Sequence, residues 1–432
     1  MSVRLERIEK IRQLQRKLYL KAKQEPDFRF YIMYDKIHCW DILVRAWQRV
    51  KANDGSPGAD GLSFADIEKQ GLRAYLKELQ RELEEMRYKP DVVLRRYIEK
   101  EDGKERPLGI PTIRDRIAQM ACKIVVEPIF EADFQDNSYG YRPKKSAKDA
   151  IARIKSHLRK GYTEVMDCDL SQYFDTIPHG QLMQYIEQRI SDKRVVMLIR
   201  MWLKAPVVER RGNGKLRYIS GKRNNRGTPQ GGIISPLLSN IYLNELDKEF
   251  YRRDGILNRC GARLVRYADD MVVLARYIGH PIENAMRSYL KELGLTLNEE
   301  KTHIVKTEES SFDFLGYTFR YDRHLDGRDG KYLNIFPSRK SQKRLRGEIQ
   351  KVLVPGNKKD KQALVRELNQ KLVGWRNYFS APGTYPRKAC RDMNWYLRKR
   401  LDRFYRRKSQ RHSKFHGTGA YNQLLNSGLV VL

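Results

Sequence analysis

The chain has 432 residues, and its 86 lysines and arginines against 53 acidic residues give a formal net charge of +33. A surplus of this size points to a polyanionic partner. Because 40% of the residues are hydrophobic, the chain can bury real cores, which excludes wholesale disorder. At roughly 100–200 residues per domain, the length suggests roughly two to four domains.

Membrane insertion and disulfide bonding are both disfavoured by the sequence. No apolar run reaches the ~18 residues that a membrane span needs, and Glu6 and Glu9 interrupt the basic N-terminus, unlike a targeting peptide. The five cysteines are an odd number, lie far apart and form no Cys-x-x-Cys pair, so neither a disulfide framework nor a cysteine-rich zinc site is expected. We expect a soluble, cytoplasmic protein with no membrane partner.

The N-terminal third is predicted to begin with helices and continue with two strands. Apolar residues at helical spacing between Ile8 and Leu18 predict an N-terminal helical extension over residues 1–52. After a break rich in turn residues, a second helix is predicted from Ala65 to Arg87. Strand-prone segments follow at Val92–Ile98 and Arg106–Ile110.

Two acidic segments lie in the middle of the chain. The first is predicted to be a strand that starts at Glu164 and ends at Asp169, a position where a single aspartate usually forms a turn or caps a helix. The second consists of two strand-prone runs that meet at Asp269 and Asp270, which alone predicts a hairpin with an acidic tip. If the fold lays these strands side by side, the carboxylates converge, and hard cations such as Mg²⁺ are needed to hold like charges together. Two such ions roughly 3.5–4 Å apart support an in-line displacement at phosphorus.

A loop rich in glycine and proline, Arg226–Asn240, lies between the two acidic segments. Its glycines allow close approach of the backbone to a ligand, and the residues after Pro236 predict a helix. A plain connecting loop is the simpler interpretation, but its position between the two acidic segments favours a functional one.

The C-terminal part of the chain is the most basic. Residues Ser338–Leu432 contain 24 lysines and arginines and five acidic residues, a net charge of +19. One basic run is typical of a solvated helix face. Here, however, aromatic residues such as Trp375 and Trp395 are interleaved with the cations, which favours a nucleic-acid-binding domain. A break at Val354–Asp360 precedes a predicted helix with Leu364, Leu368 and Leu372 on one face.

The order of these segments resembles the reverse transcriptases encoded by group II introns, from about Asp54 to Phe379. The last block resembles the maturase domain of that family. The blocks that carry the resemblance are Arg106–Arg116, Asn137–Pro143, Thr228–Gly232, Tyr267–Asp270, Leu293–Thr302, Phe314–Tyr317 and Gly374–Phe379. Each block alone is a weak signal, but seven in the family's order are specific.

The resemblance implies an α+β fold of the right-hand polymerase type. After the extension at 1–52, fingers are expected at 53–165 and a palm, an antiparallel sheet packed on helices, at 166–337. A basic helical thumb, or maturase domain, with a C-terminal DNA- or RNA-binding tail is expected at 338–432. The implied activity is RNA-directed DNA synthesis that copies intron RNA into cDNA, together with maturase assistance to splicing and hence mobility of the intron.

The resemblance also implies the site residues. Catalysis falls on Asp169, Asp269 and Asp270, which with the Leu170 carbonyl would bind two Mg²⁺, Mn²⁺ being able to substitute. Phe174 matches the bulky residue that excludes a ribose 2′-OH, with core packing as the alternative. The other expected nucleotide contacts are Lys100, Arg106, Gln230 and Ala268, of which Lys100 could instead be a solvated charge. Lys301 matches a family lysine whose role is less certain.

The implied partners are intron RNA or another RNA template, a DNA or RNA primer, dNTPs and a DNA target. Only Cys390, His412 and His416 are available for a His/Cys endonuclease, so the expected relatives are the endonuclease-lacking, group IIC-like members. Two alternatives stay open: a maturase that acts mainly as an RNA-binding splicing cofactor, and a domesticated relative that serves host DNA repair or defence. The sequence does not predict the oligomeric state.

Overall fold

The fold is a mixture of helices and sheets, as expected for an α+β protein. In the computed structural model, the described residues are 2–99, 103, 105–210, 216–220, 224–324, 329–354, 356–357, 359–408 and 419–432. The helices are α1 (Ser2–Gln24), α2 (Tyr34–Ile37), α3 (Trp40–Ala52), α4 (Phe64–Glu84), α5 (Ile113–Asp133), α6 (Ala147–Arg159), α7 (Tyr173–Thr176), α8 (His179–Arg189), α9 (Lys193–Leu203), α10 (Ser235–Glu249), α11 (Ile256–Arg259), α12 (His280–Glu292), α13 (Arg339–Val352), α14 (Lys361–Phe379), α15 (Arg387–Lys408) and α16 (Ala420–Asn426). The strands are β1 (Val93–Glu99), β2 (Glu105–Ile110), β3 (Glu164–Cys168), β4 (Val207–Arg210), β5 (Leu216–Ser220), β6 (Arg263–Tyr267), β7 (Asp270–Ala275), β8 (His303–Lys306), β9 (Phe312–Phe314), β10 (Tyr317–Arg323) and β11 (Lys331–Pro337).

The central sheet has the strand order β6-β7-β3-β8, and its neighbouring strands are antiparallel. Side chains alternate between the two faces of a strand, and here both faces are covered. Met271 and Val273 of β7 belong to a large core that includes α5, α8, α10 and α12. Val272 and Leu274 belong to a second core, formed with α6 and the three-stranded sheet β11-β10-β9. Because both faces of the central sheet are buried, the strands that carry the acidic segments are held in place.

The N-terminal helices pack onto the body of the protein. Helices α1 and α3 both contact α5, which is buried along most of its length. Arg189 at the end of α8 fastens the residues after α1, because its guanidinium donates to the carbonyl groups of Ala22 at 2.8 Å and Glu25 at 3.2 Å. The same guanidinium forms an ion pair with Asp133 at 2.9 Å. No helix within the described ranges is long and apolar enough to cross a membrane.

A separate four-stranded sheet has the order β2-β1-β4-β5, in which β1 and β2 form an antiparallel hairpin. The two strands predicted at Val92–Ile98 and Arg106–Ile110 correspond to β1 and β2. Helix α4 confirms the helix predicted from Ala65, although a kink at Gly71 divides it.

The C-terminal helices α13 to α16 build a core of their own. The predicted apolar face of α14 is confirmed, since Leu364, Leu368 and Leu372 are all at most 2% exposed. Trp375 packs against both this core and the second core of the central sheet, and so joins the two regions.

Candidate active site

The structure brings the two acidic segments together. Strands β3 and β7 are antiparallel neighbours, and Cys168 pairs with Met271. Asp169 directly follows β3, and Asp270 is the first residue of β7. The side-by-side arrangement that a shared carboxylate site requires is therefore present. Asp169, Asp269 and Asp270 lie at the same end of the paired strands, and this end of the sheet is called the acidic edge below.

The acidic turn between β6 and β7 is a two-residue turn, because Tyr267 pairs with Asp270. Ala268 occupies it with φ of +59°, a left-handed conformation that costs an L-residue roughly 1–2 kcal/mol. This turn is held from below by Arg266, whose guanidinium donates to the Ala268 carbonyl at 2.9 Å and to Asn240 Oδ1 at 2.9 Å. Such contacts fix a conformation that the local sequence alone does not favour.

Arg266 and Asp247 form a fully buried ion pair, since each side chain is 0% exposed. The guanidinium donates to both Asp247 carboxylate oxygens. Sequence reasoning missed both residues. The available signal was an arginine in the strand-prone run Leu264–Tyr267, directly after two apolar residues, because a charge at such a position needs a partner.

Gly140 packs directly on the acidic turn. A β-carbon at this position would lie 2.3 Å from the Ala268 nitrogen, which is far inside van der Waals contact. The Gly140 carbonyl accepts a hydrogen bond from Asn240 Nδ2 at 2.8 Å, so the segment has little freedom to move away. The block Asn137–Pro143 thus contributes a backbone support for the turn.

We expect Gly140→Ala to reduce cDNA synthesis at least ~10-fold, because the added methyl group must displace the turn that carries Asp269. Steady-state primer extension with matched protein concentrations measures the effect. Gly347→Ala is the control, since nothing lies within 4 Å of a β-carbon built there. Equal activity of the Gly140 and Gly347 variants would contradict the proposed contact.

Asp169 is held by the segment that follows α12. Asn298 Nδ2 and Lys301 Nζ each donate to Asp169 Oδ2 at 3.1 Å, and the Asn298 backbone N–H donates to the Asp169 carbonyl at 2.8 Å. Leu170 is buried and bridges to Leu297. Lys301, whose role the sequence left uncertain, is therefore an ion-pair partner of Asp169, and Asn298 is a contact that sequence reasoning missed.

Burial and neighbouring carboxylates raise the pKa values of the aspartates at the acidic edge. Loss of hydration, followed by repulsion from Asp269, Asp169 and Asp167, raises the pKa of Asp270 to about 6. Loss of hydration also raises the pKa of Asp269, and repulsion from Asp169 adds to this shift. The positive charge of Arg106 lowers the pKa of both Asp269 and Asp270 and so offsets part of the increase. A cation at this edge would relieve the repulsion.

The donor chemistry fits a hard divalent cation, because carboxylate and carbonyl oxygens are the ligands such ions prefer. Within the described ranges, no group of three His, Cys, Asp or Glu side chains lies close enough together to form a metal site by itself. The ammonium group of Lys301 forms an ion pair with Asp169.

Of the expected nucleotide contacts, Ala268 lies in the acidic turn, and Arg106 acts electrostatically on Asp269 and Asp270. Arg106 Nε donates to Gln230 Oε1 at 2.9 Å, and Gln230 Nε2 lies 3.4 Å from Asp175 Oδ2. Phe174 is 6% exposed and packs edge-on against Tyr173, so it belongs to the main core as well as lying near Asp169 in the chain. Lys100 lies outside the described residues.

The loop Arg226–Asn240 packs against β2 and α7. Gly231 has φ of +111°, and a β-carbon there would lie 2.3 Å from the Gly109 carbonyl oxygen. The Gly109 N–H in turn donates to the Gln230 carbonyl at 2.5 Å. The close approach expected of these glycines is thus made to the protein's own backbone. The predicted helix after Pro236 is α10.

His179 contacts the start of the same loop, and no sequence pattern indicated a role for it. Its Nε2 lies 2.6 Å from the Gly227 carbonyl oxygen, and the Thr228 N–H donates to the Phe174 carbonyl at 2.7 Å. The loop therefore links His179, the first residue of α8, to Phe174, which is expected to contact the nucleotide.

Comparison with known families gives two matches that cover most of the chain. Residues 98–319 match the reverse transcriptase (RNA-dependent DNA polymerase) family, and residues 342–421 match the group II intron maturase-specific domain. Both domain types act on nucleic acid, and a reverse transcriptase domain implies the use of a divalent metal.

Individual relatives agree with these matches. Protein YkfC of Escherichia coli is 35% identical over 343 residues, which cover 71% of this chain and 87% of that protein. Group II intron-encoded protein LtrA of Lactococcus lactis subsp. cremoris is 38% identical over 216 residues, covering 48% of this chain and 33% of LtrA. The putative COX1/OXI3 intron 2 protein of Saccharomyces cerevisiae is 27% identical over 332 residues, covering 64% of this chain and 37% of that protein. The chain thus spans about a third of the length of the latter two relatives.

The order of the sequence blocks, the acidic sheet edge, the two domain matches and these relatives agree. They support RNA-directed DNA polymerase and maturase functions. The chain belongs to the group II intron reverse transcriptases, with a polymerase domain followed by a maturase-specific domain.

Proposed function

We propose that the edge formed by Asp169, Asp269 and Asp270 is the polymerase centre, at which RNA is copied into cDNA with two Mg²⁺ ions. The observation that carries the proposal is the pairing of β3 with β7, which juxtaposes these carboxylates. Asp169, Asp269, Asp270 and the Leu170 carbonyl would hold the Mg²⁺, which would supply Lewis acidity for the attack of the primer hydroxyl and the departure of pyrophosphate. Mn²⁺ is expected to substitute.

The residues of the chain position the reactants and balance the charge. Arg106 is exposed and is a cation suited to the triphosphate of an incoming dNTP. Its hydrogen bond to Gln230 holds the two side chains together, so that both would contact the same nucleotide. Arg266 and Gly140 keep the turn in place, and Ala268 presents a small surface there. Lys301 forms an ion pair with Asp169 and balances part of the negative charge.

Phe174 is proposed to exclude ribonucleotides by crowding the 2′-OH of the sugar. Phe174→Ala is expected to improve the use of rNTPs relative to dNTPs by at least ~10-fold, because the truncation opens space without adding a polar group. Primer extension with each nucleotide type on an RNA template measures the ratio. Tyr173→Phe, which removes only the hydroxyl that donates to the Ser239 carbonyl, is the neighbouring control. An unchanged ratio in Phe174→Ala would leave Phe174 as a core residue only.

The structural regions are proposed to form a right hand. The sheet β2-β1-β4-β5 with α4 would be the fingers, which would then include β4 and β5 from the range 166–337 expected for the palm. The central sheet with its helices would be the palm, and α13 to α16, from about residue 338, the thumb. The hydrogen bond from Arg106 of β2 to Gln230 and the electrostatic effect of Arg106 on Asp269 and Asp270 support this assignment.

The maturase function is proposed to rest on the basic C-terminal helices. Trp395 is 60% exposed, and Lys399 Nζ lies 3.7 Å from the centre of its ring, a pair suited to stacking on a base beside a phosphate. The proposed partners are intron RNA or another RNA template, a DNA or RNA primer, dNTPs and a DNA target, in the cytoplasm. Trp395→Ala should weaken RNA binding while sparing the polymerase centre.

A further inference from the structure

The turn formed by residues 141–144, just before α6, contains two residues in an unfavourable backbone conformation. Tyr141 has φ of +57° and Lys144 has φ of +60°, in the left-handed region that glycine adopts readily. For a bulky residue such as tyrosine this conformation is rare and costs free energy. Residues held in this way cluster at binding and catalytic sites, so the turn is a candidate for a function of its own.

Both chain neighbours of Tyr141 are fixed to the body of the protein. On one side, Gly140 packs against the acidic turn. On the other side, the buried guanidinium of Arg142 donates to the Ser138 carbonyl at 2.8 Å and to Glu131 Oε1 at 2.7 Å. The surrounding contacts therefore maintain the left-handed conformation and fix the direction of the bond from Cα to Cβ in Tyr141.

The ring of Tyr141 is presented to solvent next to the acidic edge. Tyr141 is 51% exposed, and its side chain makes no hydrogen bond and no ring contact with any residue that the structure describes. Loss of hydration, followed by the negative charge of Asp269, raises the pKa of its phenol, and the positive charge of Arg106 acts to lower it. The ring thus lies close to groups proposed to bind the metal and the triphosphate.

A second exposed tyrosine, Tyr378 of α14, lies near the same edge. Its hydroxyl donates to the Leu315 carbonyl at 2.8 Å. Loss of hydration, followed by the electrostatic effects of Tyr267 and Asp270, raises the pKa of Tyr378 to about 12. Tyr267 and Asp270 also raise the pKa of Tyr141. Exposed tyrosines from two different regions of the chain are therefore close to the same residues of the acidic edge.

Lys144 adds a positive charge to the turn. Its side chain is exposed, and no ion pair joins it to a described residue, whereas the ammonium group of Lys145 pairs with Asp136 at 3.6 Å. An exposed cation in the same turn as an exposed ring matches the chemistry of a nucleic acid strand, in which phosphates alternate with sugars that carry flat bases.

We propose that this turn holds the template–primer duplex at the acidic edge, with the Tyr141 ring against sugars and base edges of the minor groove and Lys144 at a backbone phosphate. A duplex that places its primer 3′-hydroxyl at the carboxylates must pass beside Tyr141. An RNA–DNA duplex has A-form geometry, and its wide, shallow minor groove admits a side chain that the deep, narrow major groove excludes. The inference rests on the proposed polymerase centre and deepens it, because it assigns residues to the duplex.

Equilibrium binding of an RNA–DNA template–primer to the full chain, measured without dNTPs, tests the role of the ring. Tyr141→Ala and Tyr141→Gly both remove the ring and are expected to weaken binding about tenfold, whereas Tyr141→Phe should bind as the wild type does. Binding of single-stranded RNA by the same variants should be unchanged. Tyr277→Ala is the matched control, since it removes a ring that is 72% exposed and lies beyond the opposite end of β7.

The glycine variant separates the ring from the backbone conformation. Glycine adopts a positive φ without strain and alanine does not, so Tyr141→Gly should unfold at a higher denaturant concentration than Tyr141→Ala while binding the duplex equally weakly. Wild-type affinity for the duplex in Tyr141→Gly, or an equal loss of binding to single-stranded RNA, overturns the proposal.

Salt titration of duplex binding tests the phosphate contact. In Lys144→Gln, the slope of the logarithm of the binding constant against the logarithm of the salt concentration should become less steep by about 0.9, the contribution of one phosphate. Tyr277→Ala should leave the slope unchanged, and an unchanged slope in Lys144→Gln overturns this contact. Because none of these assays requires synthesis, a wild-type chain that makes cDNA beside a Tyr141→Gly variant with normal duplex binding would refute the turn's role alone. Failure of the wild type to make cDNA would refute the polymerase centre.

Discussion

Asp269→Asn is expected to reduce cDNA synthesis at least ~10³-fold while the protein stays folded and binds RNA. Asparagine keeps the size and one oxygen of aspartate but removes the charge that a divalent cation requires. Asp269 lies in the two-residue turn beside Asp169 and Asp270, so its charge is at the centre of the acidic edge. Primer extension on an RNA template, under single-turnover conditions, measures the loss.

Asp269→Asn also distinguishes cDNA synthesis from splicing assistance. Splicing assistance needs RNA binding by the basic surfaces and no polymerase chemistry, so Asp269→Asn should retain it. Asp254→Asn, at an exposed position away from the sheet edge, should retain both activities. Equal loss of splicing assistance and cDNA synthesis in a folded Asp269→Asn protein would contradict the division of labour.

Asp247→Asn is expected to have the largest effect on stability, about 3–5 kcal/mol, because it leaves Arg266 buried without its counter-charge. Activity should fall as well, since Arg266 also donates to the Ala268 carbonyl of the acidic turn. Chemical denaturation followed by circular dichroism measures the free energy of unfolding, and primer extension measures the activity.

A double replacement separates the contribution of the Arg266–Asp247 ion pair to stability from the role of Arg266 in positioning the acidic turn. Asp247→Leu combined with Arg266→Met removes both charges and should recover much of the stability lost in Asp247→Asn. It should not recover synthesis, because the donor to Ala268 is gone. Glu78→Gln, which breaks the exposed pair with Arg81, should change stability little. Full activity in the double variant would show that Arg266 does not position the turn.

Local sequence patterns predicted the elements that depend on periodicity and turn chemistry. The strand-prone residues of β1 and β2, the leucines of α14 and the acidic tip at Asp269 are all properties of neighbouring residues. The sequence predicts that Asp169 and Asp269 converge only if their strands pair, because these strands lie about 100 residues apart in the chain.

The contacts that were missed share a physical reason. Arg266, Asn298 and His179 act through partners that are distant in sequence, and their residue types are ordinary for a strand, a loop and a helix start. Gly231 was identified as a position of close approach, but the approach is to Gly109 rather than to a ligand. Only the folded arrangement specifies which surface a glycine faces.

Primer extension by the wild-type chain on an RNA template, with a DNA primer, dNTPs and Mg²⁺, measures whether the acidic edge synthesises cDNA. We predict full-length cDNA that requires both the RNA template and the divalent ion. A folded, RNA-binding protein that makes no cDNA under these conditions would contradict the assignment of the acidic edge as a polymerase centre. That result would instead favour a splicing cofactor that keeps the polymerase fold as a scaffold.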